Sequence, residues 1–458
     1  MWLRQITSDS FAYWQSPCSD KILKRCIAPY RLRPLGDDIM TVVECSQEDD
    51  AARRRVLLAV AVFANLLFFA TWGLWNPASG EWTVDHSSFP RIPLMSFAGN
   101  VPAWLEYVLL ATTIVATWTL VLSRSRKGEY PSLACFLVGA VSLTLIDQHR
   151  LQPWLYLFGI LCVFALLLDS KQFVVYSRWL LISIYVFSAW SKLDHTFAHT
   201  LGQQFIDTLW TPFRNAGLLL DKQTRTAVAF LFPLIEGLIG VGLVWNRTRK
   251  VSTIAAVSLH VCLLAILGPW GLGHNAGVLI WNLFFVVMLW ILFRNMEWSK
   301  DPGELKPNQV RWRPWVVAII LTPLLEPLGL LDHWPAWQVY APRNSRVTME
   351  IRANALGKLP ADLTPFLRED ESSAWANVDL DALSLVRLSA PNYPQDRFQL
   401  GVALSLAKRY ELGDDVRVTL RGIANRFDGS REQELLRGVP DIETAATRFQ
   451  LNALPPIE

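Results

Sequence analysis

The stretch WSKLDHTFAH sets Lys192, Asp194, His195 and His199 directly behind FVVYSRWLLISIYVFSA, an apolar run long enough to be a membrane-crossing helix. Four groups able to bind or release protons crowd the end of a segment that otherwise avoids charge. An ammonium is chemically inert, but in a partly dry pocket beside other cations a lysine can serve as a neutral base, and His149 or His195 could supply that setting or relay the proton. The same lysine could equally be an anchor among lipid headgroups. A second group, Asp147, Gln148, His149 and Arg150 in LTLIDQHRLQPW, forms a tight turn ahead of Pro153, a residue suited to the first turn of a new helix. There His149 either faces inward toward Lys192 or is a solvated residue beside a snorkelling Arg150. Glu236 in FLFPLIEGLIGVGLVW and His260 in TIAAVSLHVCLLAILG stand inside apolar runs, where ionisable groups are costly and usually face a bundle interior. They mark a ligand or proton path, or each makes one interhelical hydrogen bond and nothing more.

The elements that must position these groups follow from hydropathy. With 52% hydrophobic residues, 18% charged ones and 21 tryptophans in 458 residues, the chain carries more apolar surface than a soluble domain of its size buries, so the lipid bilayer is its expected surroundings. Nine runs approach spanning length: 55–76, 103–123, 131–148, 153–169, 173–191, 226–245, 251–268, 276–293 and 314–331. The last holds Pro323, Glu326 and Pro327 and is as consistent with a buried or kinked half-helix. The expected fold is an all-α polytopic membrane bundle of about eight to nine transmembrane helices with a C-terminal soluble α+β domain. Its parts are a cytoplasmic segment 1–54, a membrane domain 55–331 and a soluble domain 332–458. In that domain SRVTMEIRA and DDVRVTLRGIA alternate as strands do, and FQLGVALSLAKRYEL has a helical pattern.

The net charge of +3, with basic residues scattered, gives no basis for nucleic-acid binding. Six cysteines without a CxxC pair write neither a disulfide framework nor a zinc finger, and no metal ligands are expected. MWLRQITSDSFAYW has no basic flank and apolar core, so insertion is expected to be directed by the first span and not by a removable signal peptide. Arginine and lysine in RRR at 53–55, SRSRK at 123–127, NRTRK at 246–250 and the stretch 294–313 all fall on one side if every run spans, and that side is expected to be cytoplasmic. His86, His149, His195, His199, His274 and His333 then fall on the outer side, with the C-terminal domain if the ninth run crosses.

A histidine at the outer end of one span, a span ending SAWSKLDHTF, and PLIEGLIGVGLVWNRTRK followed by LHVCLLAILG together resemble the HTTM domain, the membrane region of vitamin K-dependent γ-carboxylase and many bacterial relatives. The resemblance covers roughly residues 55–295, and its most specific element is Lys192, Leu193, Asp194 and Phe197 in SKLDHTF. It implies that Lys192 is the base that deprotonates a quinone-type hydroquinone, with His149 as the matching turn histidine and His260 as the histidine of the later span. His149 follows Gln148 where the family has asparagine, and GPWGLGHN replaces the family's Phe-Pro-containing continuation. A quinone or hydroquinone is the implied cofactor, with His260, Glu236, Asp194 and His195 as its candidate binding residues. Residues 332–458 show no counterpart of the animal enzyme's lumenal domain, so carboxylation of a protein is not implied, although an exported protein substrate or partner could meet this part. The implied location is a bacterial inner membrane. Two other classes fit the same features: a non-enzymatic anchor for an exported 332–458 domain, and a DoxX- or MauE-like redox membrane component.

Overall fold

The structure is a computed structural model describing residues 35–80, 88–294, 312–369 and 373–456, with side chains from Gln47 onward. His86, the N-terminal stretch read for a signal sequence, Cys18, Cys26 and most of the basic segment 294–313 lie outside the described residues. Contacts separate residues 1–48 from residues 49–458. The described part of the first unit is helical backbone from Leu35, and the second unit holds the remaining helices and the sheet.

The helices are α1 (Leu35–Ala70), α2 (Trp72–Trp75), α3 (Ala103–Leu122), α4 (Arg126–Ile146), α5 (Pro153–Leu167), α6 (Ser170–Lys192), α7 (His195–His199), α8 (Leu201–Asn215), α9 (Lys222–Gly242), α10 (Asn246–Leu267), α11 (Ala276–Phe293) and α12 (Arg313–Leu321). Six of them, α3, α4, α6, α9, α10 and α11, are long and apolar enough to cross a membrane, the make-up of an integral, multi-pass membrane protein. The run 153–169 yields an α5 of only 15 residues, Pro153 opening it as expected. The run 55–76 is the end of α1, which stops at Ala70, where Thr71 turns its hydroxyl back onto the Leu67 carbonyl at 2.6 Å. The run 314–331 changes at Thr322 from α12 to a 3₁₀ segment, Thr322–Leu328, because Pro323 and Pro327 lack the amide hydrogens an α-helix needs.

One end of the bundle is tied by arginines. Arg53 pairs with Glu129 at 2.6 Å with both side chains buried, and Arg54 donates to the carbonyls of Leu120, Val121 and Ser123 at the end of α3. Arg126 reaches the Leu168 carbonyl just beyond α5. Two of the basic stretches expected on one side, RRR at 53–55 and SRSRK at 123–127, are thus linked, Arg54 donating to the Ser123 carbonyl at 2.6 Å. At the other end, aromatic rings of Phe68, Trp75, Trp154, Phe158 and Phe284 meet edge to face at centroid separations of 4.7–5.7 Å.

The C-terminal region carries a five-stranded antiparallel sheet in the order β2-β3-β1-β4-β5, from β1 (Arg346–Arg352), β2 (Leu367–Arg368), β3 (Trp375–Val378), β4 (Val416–Arg421) and β5 (Gln433–Arg437). The alternation in SRVTMEIRA and DDVRVTLRGIA is that of β1 and β4, paired with Met349 opposite Val418 and Ile351 opposite Val416. These four side chains are buried. Helices α13 (Leu380–Leu388), α14 (Asp396–Arg409) and α15 (Gly438–Ala446) complete the region. Helix α14 covers β1 and β4, burying Phe398, Val402 and Leu406.

This sheet region is fastened to the turn between α4 and α5. The Gln148 amide donates to the Asn452 carbonyl at 3.0 Å and accepts from Arg397 Nε at 2.9 Å. Arg397 also donates to Asp332 at 2.7 Å, and the Tyr393 hydroxyl donates to the same carboxylate. Burial alone would raise the Asp332 carboxyl, but the Arg397 bonds and charge and the Tyr393 hydroxyl hold it below the usual aspartate value.

Candidate functional site

The segment SAWSKLDHTF is a helix stop followed by a helix start. Lys192 is the last residue of α6; Leu193 leaves helical geometry, and Asp194, extended at φ −151° and ψ 163°, caps α7 by accepting the Phe197 amide at 2.9 Å. Asp194 is therefore set to build the corner, and its second carboxylate oxygen is buried without a partner among the described residues. His195 and His199, a helical turn apart on α7, stack at 4.0 Å, and the His195 amide donates to the Arg426 carbonyl at 2.7 Å. Arg426 in turn donates to the Trp190 carbonyl at 2.9 Å and lies over the Trp190 ring, so the loop between β4 and β5 secures the end of α6.

On α6, Tyr185, Ser188 and Lys192 fall at positions i, i+3 and i+7, one face of the helix. That face lies against α9, where Gly237 and Gly240 permit close approach. A Cβ at Gly240 would stand 2.9 Å from the Tyr185 Cβ, and one at Gly237 3.4 Å from the Ala189 Cβ. Glu236, adjacent to the first glycine, meets Lys192. Its carboxylate oxygens accept from Nζ at 2.9 and 3.2 Å, and Nζ also donates to Ser188 Oγ at 2.5 Å. The pair is little exposed, 9% for the Lys192 side chain and 17% for Glu236. Ile235 and Leu238 beside Glu236 are exposed on the apolar outside of α9.

Near this pair a second polar chain crosses the bundle. His260 on α10 stacks on Phe285 and faces Tyr185 Oη at 2.7 Å from Nε2 and Asn282 Oδ1 at 3.0 Å from Nδ1. The Asn282 amide nitrogen donates to the Val278 carbonyl at 2.9 Å, which turns its oxygen toward the imidazole. An oxygen facing Nδ1 makes that nitrogen the donor, so in the neutral ring Nε2 accepts the hydrogen bond that the Tyr185 hydroxyl donates. The chain ends at a backbone carbonyl on one side and at Tyr185 on the other.

His149 is placed elsewhere. With Gln148 and Arg150 it is fully buried, so the turn is not solvated. Its Nε2 donates to the Pro391 carbonyl at 2.8 Å, and its ring lies 5.5 Å from Phe89 and 4.9 Å from Phe398. Nδ1 has no partner among the described residues. Burial lowers the imidazole below its ordinary value, which keeps it neutral. Arg150 donates to Glu106 and to the Leu74 carbonyl and does not snorkel.

Of the residues the sequence singled out, Lys192, Glu236 and His260 are brought to one region of the bundle, while His149, Asp194 and His195 belong to the packing of turns and of the C-terminal region. Tyr185, Ser188 and Asn282 are additional members. Their signals were the 185, 188, 192 spacing and a lone amide in AGVLIWNLFFVVML. Chemically, the pair can pass one proton between amine and carboxylate without changing its net charge. The Tyr185–His260–Asn282 chain offers an oriented hydroxyl beside it. No family model matches the chain, and neither a curated protein nor a solved structure matches it.

Proposed function

We propose that this chain is a membrane enzyme of the carboxylase-like HTTM class, in which Lys192 acts as the base toward the hydroxyl of a lipid-soluble hydroquinone. The observation that carries the reading is the buried Lys192–Glu236 pair with Ser188, set at the end of α6 beside Tyr185 and His260. A buried amine bonded to a carboxylate has a place to send its proton, and so a way to become a base. Glu236 takes that role, Ser188 fixes the amine, and the glycines of α9 hold the two helices close enough to keep it in place. The flanking Ile235 and Leu238 lie on the exposed apolar side of α9, which suits a reactant arriving through the bilayer. A quinol would supply an acidic hydroxyl and an apolar ring. Tyr185 and Lys192 are the polar groups that fit the former, and Phe285, stacked on His260, lies among the apolar ones.

In the same reading the chain crosses the membrane nine times, in a cell membrane that we take to be a bacterial inner membrane. The six long helices are joined by α5, by the apolar part of α1 and by the segment 313–328. The α-helical half of the last crossing is bracketed by two contacts. Arg313 donates to the Tyr176 hydroxyl near the start of α6, and Thr322 lies 3.5 Å from the Tyr156 hydroxyl near the start of α5. These two contacts bracket α12 alone, a rise of about 13 Å, and the 3₁₀ residues continue beyond the second one. Nine α-helical and seven 3₁₀ residues rise about 27 Å, close to the thickness of a hydrocarbon core.

The test is solvent extraction of the purified protein, followed by quinol-dependent turnover in liposomes. A quinone should co-extract in near-stoichiometric amount, and Lys192→Arg should lower turnover by about 100-fold or more while leaving the unfolding midpoint in place. Absence of a bound quinone together with full activity of the arginine variant would remove the base. A second reading, an anchor for residues 332–458, is favoured by one observation: Gln148 and His149 both bind the C-terminal region directly. It predicts that Lys192→Arg changes nothing.

A further inference from the structure

A cavity of about 450 Å³ lies where the bundle meets the C-terminal region, walled by the start of α5, the start of α11, α8, the segment 334–346 and the segment 385–394. None of Lys192, Glu236, His260 or His149 lines it. Its size falls within the roughly 300–1,000 Å³ of small-molecule sites, and the indoles of Trp154, Trp281 and Trp334 give it broad apolar walls. No carboxylate lines it. Its permanently charged lining residue is Arg346, which opens β1 and is itself exposed.

Arg346 stands among other cations that no nearby acid balances. On the sheet face turned away from α14 it lies directly opposite Arg421 of β4, a pairing in which like charges repel. Four residues along that face Glu350 lies opposite Arg417 and accepts two bonds from it at 2.8 Å, so the same two strands do join opposite charges where an acid is supplied. A third guanidinium closes in from the loop between β4 and β5. Arg346 and Arg431 each donate through Nη2 to the Pro342 carbonyl, at 2.7 and 2.8 Å, so two cations share one oxygen. No salt bridge among the described residues includes Arg346, Arg421 or Arg431. Asp381 and Asp194 act on them only from beyond ion-pair distance; Asp381 already accepts from Asn392, and Asp194 caps α7. Burial and the charges of Arg346, Arg421 and Arg343, opposed by Asp194, bring Arg431 down to about 10.

A cationic rim on an apolar cavity without carboxylates selects an oxyanion carried on a hydrocarbon. An ammonium head would be repelled by Arg346, and a neutral head would leave the opposed guanidiniums uncompensated. A carboxylate brings one negative charge, whereas a phosphate monoester brings about 1.5 to 2 and offers several oxygens to guanidinium forks, which suits a cluster of three arginines better. We propose that this cavity binds a phosphate-headed amphiphile, its head at the rim beside Arg346 and Arg431 and its apolar chain along the indoles. The assignment goes beyond the base chemistry at Lys192 and is read by binding alone, without turnover.

The experiment uses the full chain in neutral maltoside micelles with radiolabelled n-dodecyl phosphate, bound label being separated by rapid gel filtration. Saturable binding is expected, displaced by unlabelled dodecyl phosphate and far less by laurate, inorganic phosphate or 1-dodecanol. Arg346→Gln should weaken it by about 5- to 30-fold, the worth of a charge-assisted hydrogen bond discounted for exposure, and Arg421→Gln by about 2- to 5-fold. Neither change should lower the unfolding midpoint of the ligand-free protein, because each removes a repulsion between exposed side chains. Leu385→Trp, at a lining position on α13, should abolish binding by filling the space the chain needs, which separates the cavity from a merely basic surface. Non-saturable uptake, equal displacement by laurate, by inorganic phosphate or by 1-dodecanol, or affinity unchanged by Arg346→Gln or by Leu385→Trp would each overturn the assignment.

Discussion

Replacing Glu236 by glutamine leaves Lys192 with its charge, its Ser188 contact and no counter-ion, inside a helix interface where its side chain is 9% exposed. Breaking a fully buried pair by removing one partner costs about 3–5 kcal/mol. Glu236 is slightly more exposed, at 17%, and Ser188 remains, so about 2–4 kcal/mol is expected for Glu236→Gln. Lys192→Met should cost a similar amount, because the stranded charge is then the carboxylate. The combined Lys192→Met/Glu236→Gln variant removes both charges, so neither group is left stranded without its partner. It should therefore cost less than either single change. The assay is reversible unfolding in mixed micelles by denaturing detergent, followed by tryptophan fluorescence, on the four members of the cycle. Polar contacts between membrane helices average only about 0.6 kcal/mol by this type of measurement. Singles below that value, with a strictly additive double, would refute the claim that the two groups form one buried unit.

Further expectations use other parts of the fold. Folded His149 titrates below the 6.5 of the unfolded chain, so the unfolded state binds its proton first. Stability is then full above about pH 6.5 and falls as the pH drops below it, by up to about 1.4 kcal/mol per pH unit, and His149→Phe should flatten that dependence in unfolding measured from pH 7.5 to 5. Asp332 titrates below its ordinary 3.8, so its contribution is fully present above that pH and is lost as the pH falls through the lower folded value; Asp332→Asn should cost about 2–4 kcal/mol at pH 7 in the same assay, and progressively less as the pH is lowered below 3.8. Gly240→Val should push α9 off Tyr185, with about 1–3 kcal/mol of destabilisation and a shift of the tyrosine absorbance. A membrane-impermeant thiol reagent applied from outside should label a cysteine at position 199 and not one at position 248; the reverse would invert the orientation.

The parts of this architecture legible in the sequence are those governed by local rules. Length and apolarity alone located the six long helices, period-two alternation located β1 and β4, and Pro323 and Pro327 marked where α12 gives way. Capping chemistry also lies in plain sight: Asp194 three residues before Phe197 is an N-cap signature, although the resemblance assigned it to a binding site. What sequence could not disclose is pairing across distance. Nothing near Lys192 indicates that Glu236, 44 residues away, is its partner, since the helix period names a face without naming what it meets. His149 was drawn toward Lys192 because both close a span at the same end. The backbone carbonyl that holds it belongs to Pro391, 242 residues further on, and backbone groups leave no compositional trace.

The loop that secures the end of α6 has a consequence for biogenesis. Arg426 lies 236 residues downstream of the Trp190 carbonyl it binds. At about 5–20 residues per second of synthesis, roughly 12–50 s separate the two. During that interval α6 is in place with its final carbonyls unserved and the Lys192 corner unsupported from the sheet side. The nascent bundle therefore passes through a stage in which the site exists in outline but is not yet locked, and it reaches its working geometry only when the last third of the chain has been delivered and folded back. A ribosome stall or truncation after α6 is made but before residue 426 would release a protein that is helical but incomplete at that corner.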